Sequence, residues 1–167
     1  LSSFFTPETG MVVGIAPLKP TSWWLSPLVC IDALIGSLTA YGSLGWNNAV
    51  TCTGRNFAYR KDLFQEINGY SGIDHILMGD DDLLMMKARK QTEWKIRFIP
   101  DMQATVKSLA ASGWRHYGSQ RKRHISAARY FPFSIKLGFA LTYFSKLFIM
   151  LLFIFLLLQH HVYNLLF

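Results

Sequence analysis

The sequence predicts an α/β domain followed by a transmembrane helix. Short β-branched runs alternate with helical patterns and no long disordered gap separates them, which is typical of an α/β or α+β domain. Of the 167 residues, 51% are hydrophobic and 15% are aromatic, which is ample for a packed core. The C-terminal part contains an apolar run that is too long and too uniform for an ordinary core helix. We therefore expect one packed domain attached to a membrane.

A buried strand and a long apolar helix are predicted first. The run GMVVGIAPL, residues 10–18, is β-branched and closed by prolines, as a buried strand leaving into a loop would be. The apolar stretch after Ser22 has Pro27 near its start and ends at Gly42 or Gly45, which predicts a helix. Two tryptophans near its start fit a membrane interface and a core position equally well: Trp23 and Trp24.

The middle of the chain alternates short strands and short helices, each bounded by turn residues. Asn68 and Gly69 end a short helix, and Pro100 with Asp101 separates two β-rich runs. The basic residues that follow recur with helical spacing. The predicted elements are, in chain order, a strand over about 49–53, a strand ending at Tyr59, a helix of one to two turns within KDLFQEINGY, a helix over Asp82–Gln91, strands in WKIRFIP and MQATVKS, and a helix over Trp114–Tyr130.

Positive charge is concentrated in the second part of the chain. All ten Asp and Glu lie at or before Asp101 with nine Lys and Arg, so this part has a net charge of −1, and the eight Lys and Arg that follow give +8. A basic segment binds nucleic acid, an anionic membrane surface or a phosphorylated small molecule. Nucleic acid is not expected, because the basic run is short, lacks interleaved aromatic residues for stacking and adjoins an apolar span.

The apolar run Leu137–Leu158 predicts a transmembrane helix. It has 22 residues and one charge, Lys146, and as a helix it would be about 33 Å long. Lys146 either faces a polar cavity or partner, or the span starts near Leu147 and runs toward Phe167 with Lys146 at its edge. Basic residues precede the span, so the positive-inside rule places that side in the cytoplasm. We expect an integral protein of the plasma or inner membrane whose globular part is cytoplasmic.

Three consecutive carboxylates, Asp80, Asp81 and Asp82, stand at the start of a predicted helix. One or two acids there suffice to satisfy backbone N–H groups and to interact with the helix dipole. Three adjacent acids repel one another, which raises the pKa of at least one of them unless a cation or hydrogen-bond donors compensate. A carboxylate tuned in this way suits a general base, and Mg²⁺ binding would explain the triplet too. The triplet alone therefore leaves a cap, a base and a cation site open.

The second candidate motif is GSQRKRH, residues 118–124. It places Gln120 and Arg123 three residues apart on one helix face, with His124 beside them. An arginine can donate two hydrogen bonds to a phosphate, while glutamine and a planar ring can position a sugar through hydrogen bonds and stacking. The alternative is a basic helix beside the membrane that only binds anionic lipid.

In combination, these motifs resemble the second half of membrane-bound family 2 glycosyltransferases. That family has a G-x-N-x-x-Y/F-R-K segment and a GGY-like turn, then an ED or DD motif, then Q-x-x-R-W and membrane helices. Asp80 and Asp81 match the acidic motif, and Gln120 and Arg123 match the Q-x-x-R motif, within a resemblance that runs from about Gly10 to the C-terminus. The first segment is matched by Gly54, Asn56, Tyr59, Arg60, Lys61, Phe64, Gly69 and Tyr70.

The resemblance implies part of a GT-A catalytic domain, a mixed sheet with flanking helices, over residues 1–113. A basic interface helix at 114–132 and a transmembrane segment at 133–167 would follow. Such enzymes are hexosyltransferases that move a sugar with inversion from a nucleotide-sugar donor onto a lipid or glycan acceptor.

The resemblance also implies residue roles. Asp81 would deprotonate the acceptor hydroxyl, with Asp80 as its neighbour. Arg123 would lie near the donor pyrophosphate and Gln120 near the acceptor. His124 replaces the tryptophan of the family and stacks on a sugar less extensively, which favours a non-processive enzyme over a polymer-threading synthase. The pocket floor beside the acceptor would be formed by Gly54, Arg55 and Asn56.

The donor-binding half of that family, with its D-x-D metal motif, is not found in these 167 residues. We therefore expect Mg²⁺ or Mn²⁺ mainly at that missing motif, assign no metal ligand here, and expect the chain to be a fragment that is inactive alone. The rival hypothesis is a non-catalytic, membrane-anchored module, in which the basic helix binds anionic lipid and the acidic triplet is only a cap.

Overall fold

The structure, a computed structural model, describes residues 1–45, 48–76 and 79–166, and the side chains of residue 127 and of residues 160–166 lie outside that description. The fold is α/β, with a small mixed sheet, flanking helices and a long apolar C-terminal helix. Its strands are β1 (Thr9–Gly14), β2 (Leu18–Lys19), β3 (Phe57–Tyr59), β4 (Lys95–Ile99) and β5 (Ser108–Leu109). Its α-helices are α1 (Ser26–Gly45), α2 (Lys61–Glu66), α3 (Asp80–Gln91), α4 (Trp114–Ala128) and α5 (Phe133–Leu166), and short 3₁₀ helices lie at Ser2–Phe4 and Met102–Ala104.

Strand β1 is the centre of the three-stranded sheet. It pairs antiparallel with β3, where Val12 faces Ala58, and parallel with β4, where Val12 faces Arg97. All six residues of β1 are buried, which explains its unbroken β-branched and small sequence. Strands β2 and β5 form a separate parallel pair.

The core packs α2 and α3 around β1. Met11 and Val13 of β1 belong to one apolar cluster with Leu63 of α2 and with Leu84 and Met85 of α3. Burial of adjacent residues of α3 fixes the position of its first turn, because each of these side chains is worth about 1.5–3 kcal/mol when it leaves water. The acidic triplet is thus held by the core beneath it.

Most predicted elements are confirmed, with changed bounds. Helix α3 begins at Asp80, two residues before the predicted start, after Gly79 in the left-handed conformation (φ 78°). The first strand stops at Gly14 instead of reaching Leu18. The long N-terminal helix, the strand ending at Tyr59, the short helix after it, the strand in WKIRFIP and the basic helix are all present.

Two predicted strands are wrong. Residues 49–53 form no strand, because the Thr51 hydroxyl and the Cys52 N–H both donate to the Asp82 carboxylate, 2.8 Å away in each case. In MQATVKS, the Asp101 carboxylate accepts from the Gln103 N–H (2.7 Å) and starts a 3₁₀ turn, so that β pairing is limited to Ser108–Leu109. Side-chain acceptors thus replace the sheet partner in both places.

The described chain forms two compact units, Leu1–Arg129 and Tyr130–Phe167. Helix α4 belongs to the first unit, and the predicted boundaries after residues 113 and 132 remain predictions. Two helices are long and apolar enough to cross a membrane: α1, and α5 over Phe133–Gln159, which contains the predicted span. The alternative end of that span, Phe167, lies outside the described residues.

Candidate functional site

The acidic triplet and the glycine turn meet at the start of α3. Asp81 Oδ2 accepts a hydrogen bond from the Gly54 N–H (2.7 Å), and Asp81 Oδ1 accepts one from the Asp82 N–H (3.0 Å). A side chain at position 54 would collide with this carboxylate, because a Cβ there would lie 2.7 Å from Asp81 Oδ2. Two predicted site residues that are 27 positions apart therefore form one contact, which a side chain at position 54 would displace.

Asp82 connects the loop that contains Thr51 and Cys52 to the same turn of α3. Its Oδ1 accepts the hydrogen bonds from the Thr51 hydroxyl and the Cys52 N–H. Burial and, next, the charge of Asp81 raise the pKa of Asp82 to about 7 against the two hydrogen bonds, which act in the opposite direction. Because Thr51 and Cys52 lead directly to Gly54, Asp82 positions the donor that orients Asp81.

The side chain of Asp80 is exposed, in contrast to the two acids after it. Its charge and that of Asp81 are close enough to Tyr70 to affect the pKa of the phenol. Burial is the largest cause that raises the pKa of Tyr70 to about 12, followed by the hydrogen bond with Tyr59 and then by the two carboxylates. A neutral phenol therefore lies within electrostatic range of the triplet. Sequence reasoning used Tyr70 as part of a motif and did not predict it beside the acids.

Helix α4 brings His124 into electrostatic contact with this site. The residue has an exposed surface, yet loss of solvent around its ring is the largest cause that lowers the pKa of His124, and the charge of Arg121 is the next. The Asp81 carboxylate opposes this change, whereas Arg123 and Arg55 add to it. The third predicted motif therefore lies near the first two.

Gln120 and Arg123 are on the same helix, and their predicted roles stay predictions. The Gln120 amide nitrogen lies 3.0 Å from His116 Nε2, so the amide donates when that ring nitrogen is unprotonated. Arg123 is exposed. Three-residue spacing places both side chains on one face of α4, as predicted.

Arg55 and Asn56 fasten the glycine turn to the domain. Arg55 donates to the Ala16 carbonyl (3.0 Å). Asn56 is 5% exposed and donates its amide hydrogens to the carbonyls of Ile15 (2.8 Å) and Ala104 (2.7 Å). These contacts give both residues a structural role, and their predicted substrate contacts remain predictions.

A divalent ion fits poorly among the potential ligands at this place. Atoms of Cys52, Asp81 and Asp82 lie within 4.8 Å of one another. Burial raises the pKa of the Cys52 thiol strongly, so the sulfur is neutral and a poor ligand for a hard cation. Asp82 Oδ1 already accepts two hydrogen bonds. The expectation that the metal binds mainly at a D-x-D motif outside this chain stays a prediction.

We expect Asp82→Asn to stabilise the domain at pH 8 and to have little effect near pH 4. The folded-state pKa of about 7 lies above the ordinary value of 3.8, so the folded state holds a proton that the unfolded state loses between these values. The free energy of unfolding of the parent protein therefore falls as pH rises from about 4 to 7, by roughly 1–3 kcal/mol after allowance for solvent screening. Asparagine has no such charge to bury.

Urea unfolding in detergent, followed by tryptophan fluorescence at both pH values, measures this difference. Asp62→Asn is the matched control, because Asp62 is exposed in the first turn of α2. An equal stabilisation by Asp82→Asn at pH 4 and pH 8 would contradict the assignment of a costly buried charge to Asp82.

No protein-family model, no curated protein and no solved structure matches this chain.

Proposed function

We propose that this chain is the C-terminal part of an inverting glycosyltransferase, which moves a sugar from a nucleotide-sugar donor to a hydroxyl of a lipid or glycan acceptor at the cytoplasmic face of a membrane. One observation carries the proposal: the hydrogen bond between the Gly54 N–H and Asp81 Oδ2, with the charge interaction of Asp81 and His124 beside it. The proximity of the glycine turn, the acidic triplet and the Q-x-x-R-H segment supports the proposal.

Asp81 is the proposed general base. An alcohol is a poor nucleophile and needs a base within hydrogen-bond reach. As the acceptor oxygen bonds to the anomeric carbon, the bond from that carbon to the diphosphate oxygen breaks, and Asp81 takes the hydroxyl proton. Each carboxylate oxygen of Asp81 is oriented by one backbone N–H, from Gly54 or Asp82, and retains a lone pair for a proton.

Arg123 is the proposed partner of the leaving diphosphate, with Gln120 toward the acceptor. Negative charge develops on the diphosphate as it departs, and a guanidinium can meet it with two hydrogen bonds. A divalent ion held by the donor-binding half would neutralise the same charge. His124 is within electrostatic range of both Asp81 and Arg123, because the charge of Asp81 raises its pKa and that of Arg123 lowers it.

The membrane location is supported by α5 and by the distribution of charge. Residues Phe133–Gln159 are apolar enough to cross a bilayer, and none of the most apolar window is buried. The basic residues of α4 come just before this helix. The positive-inside rule then favours a cytoplasmic domain.

The competing function is a lipid-binding membrane module without catalysis. It would explain the basic helix and the apolar α5, and it would need Asp81 only as a helix-terminal acid. The proposed enzyme additionally explains why the carboxylate of Asp81 is held so close to the turn that a Cβ at position 54 would displace it.

We expect Arg123→Gln to lower the rate of sugar transfer by about 100-fold in the intact membrane enzyme, because one donor to the departing charge is removed. Transfer from radiolabelled nucleotide-sugars to extracted lipids and glycans provides the measurement. Lys90→Gln, at an exposed cation near the end of α3, is the control and should keep transfer within about twofold. Equal losses in both variants, or no transfer with any nucleotide-sugar, would contradict the proposal.

A further inference from the structure

The outer face of α1 is apolar and uncovered. Five large side chains on it are between 37% and 61% exposed: Leu28, Ile31, Leu34, Ile35 and Leu38. At 3.6 residues per turn they occupy one arc of about 120°, on the opposite side from the buried Ala40 and Leu44. A soluble surface helix normally has polar residues on this side. An apolar stripe of this size marks a contact surface.

Both ends of α1 are fastened to the same compact unit. At the start, the Ser26 hydroxyl donates to the Thr21 carbonyl (2.8 Å) and accepts from the Thr21 N–H (2.9 Å). At the end, Tyr41 stacks on Phe98 of β4 with ring centroids 3.8 Å apart, and Leu44 enters the core cluster. A helix of 20 residues is about 30 Å long, so it cannot cross a bilayer while both ends stay on one domain.

Helix α4 adjoins the start of α1 and adds positive charge beside the apolar stripe. Trp23 packs edge-on against Trp114, with centroids 5.3 Å apart, and Arg121 of α4 pairs with Asp32 of α1. Trp114 is 65% exposed and Ile125 is 70% exposed. By helical geometry, the basic residues of α4 within about 100° of Trp114 are Arg115, Lys122 and the Asp32-paired Arg121.

The other side of α4 carries the candidate site residues. Gln120 and Arg123 lie roughly 120–180° from the stripe of Trp114 and Ile125 around the helix, and His124 lies about 90° from it. The same helix can therefore rest on one surface and serve the site with its other side. The positions of the candidate site residues alone would not require the other side of α4 to carry Trp114 and Ile125.

We propose that α1 lies in the headgroup region of an anionic bilayer, with its apolar stripe toward the acyl chains and the basic side of α4 on the lipid phosphates. Exposed tryptophans at both helix starts, Trp24 and Trp114, are the residue type that prefers this depth. Apolar side chains beside Lys and Arg match the chemistry of an interfacial helix. The apolar helix α5, which begins five residues after Ala128, keeps α4 close to a membrane along the chain.

The orientation of α1 can be measured with single spin labels on the full chain in vesicles. Cys30 and Cys52 are first replaced by serine, and a label is placed at Leu28→Cys, at Leu38→Cys or at Lys90→Cys. The vesicles contain phosphatidylcholine with phosphatidylglycerol. Relative accessibility of each label to oxygen and to a water-soluble nickel complex gives its depth, and circular dichroism confirms that each variant is folded.

We expect the labels at 28 and 38 to lie at the same depth within about 5 Å, at roughly 5–10 Å below the headgroups. The label at 90 should be open to the nickel complex, because Lys90 is exposed at the end of α3. In Arg115→Gln/Lys122→Gln, the label at 28 should become at least about twofold more accessible to the nickel complex, because attraction to anionic lipid is lost.

Three results would overturn the proposal. A depth difference of about 15 Å between positions 28 and 38 would mean that α1 crosses the membrane. Free access of the nickel complex to both labels would mean that the stripe faces water. Immobilised labels that neither reagent reaches, or dipolar broadening between copies, would mean that protein covers the stripe. None of these readings uses sugar transfer, so this proposal and the proposed function can fail separately.

Discussion

Replacing Asp81 by Asn in the intact form of the proposed glycosyltransferase is expected to lower kcat for sugar transfer by about 1,000-fold, within the range that a general base contributes. Asparagine has nearly the same shape and keeps an oxygen that can accept the Gly54 N–H, so the turn should stay in place. It cannot take a proton from the acceptor hydroxyl. The loss should therefore appear in kcat, while the KM for the nucleotide-sugar stays within about threefold.

Asp62→Asn provides the matched control for this result. Asp62 lies in the first turn of a helix, as Asp81 does, but it is exposed at the start of α2. Its replacement should leave kcat within about twofold. If Asp81→Asn also retained activity within this range while the membrane fraction held normal amounts of protein, Asp81 would not be the base.

The second large effect is expected from Gly54→Ala. The added Cβ would lie 2.7 Å from Asp81 Oδ2, so the carboxylate must move or the turn must open. A displacement of about 1 Å at a reacting group costs on the order of 100-fold in rate, and we expect kcat to fall by about that factor. The substitution is on the surface of the domain, so thermal unfolding followed by circular dichroism should change little.

Gly113→Ala separates this collision from a general effect of losing a glycine. A Cβ at position 113 would have no heavy atom within 4 Å, and Gly113 precedes α4 as part of the same compact unit. Its activity should stay within about twofold of the parent. Equal losses at positions 54 and 113 would contradict the specific role of the contact between Gly54 and Asp81.

The sequence was sufficient to predict the elements that are specified by residues near one another in the chain. The β-branched run of β1 and the proline and glycine bounds of α1 and α2 specify these elements without knowledge of distant residues. The strand predicted over residues 49–53 was wrong because Thr, Val and Cys favour strands. The residue that determines their conformation, Asp82, is about 30 residues away in the sequence. Long-range hydrogen bonds of this kind leave no periodic signal.

For the candidate site, the sequence suggested residues but not the contacts among them. The motif order selected Gly54, Asp81 and the residues of α4, and the structure brings Gly54 to Asp81 and His124 into electrostatic range of both acid and arginines. Sequence reasoning predicted a raised pKa for at least one acid of the triplet but did not identify Asp82 as that acid, because burial is the largest cause of its raised pKa. It also missed the apolar stripe of α1, since a helix of uniformly apolar composition does not reveal which side is covered.

The anomeric configuration of the first product tests the central claim most directly. If Asp81 removes a proton from the acceptor while the acceptor oxygen displaces the diphosphate, one displacement occurs and the configuration at the anomeric carbon is inverted. Proton nuclear magnetic resonance of the glycoside product, recorded before further transfer, gives the coupling constant of the anomeric proton. The account predicts inversion, and a product that retains the configuration of the donor would contradict it.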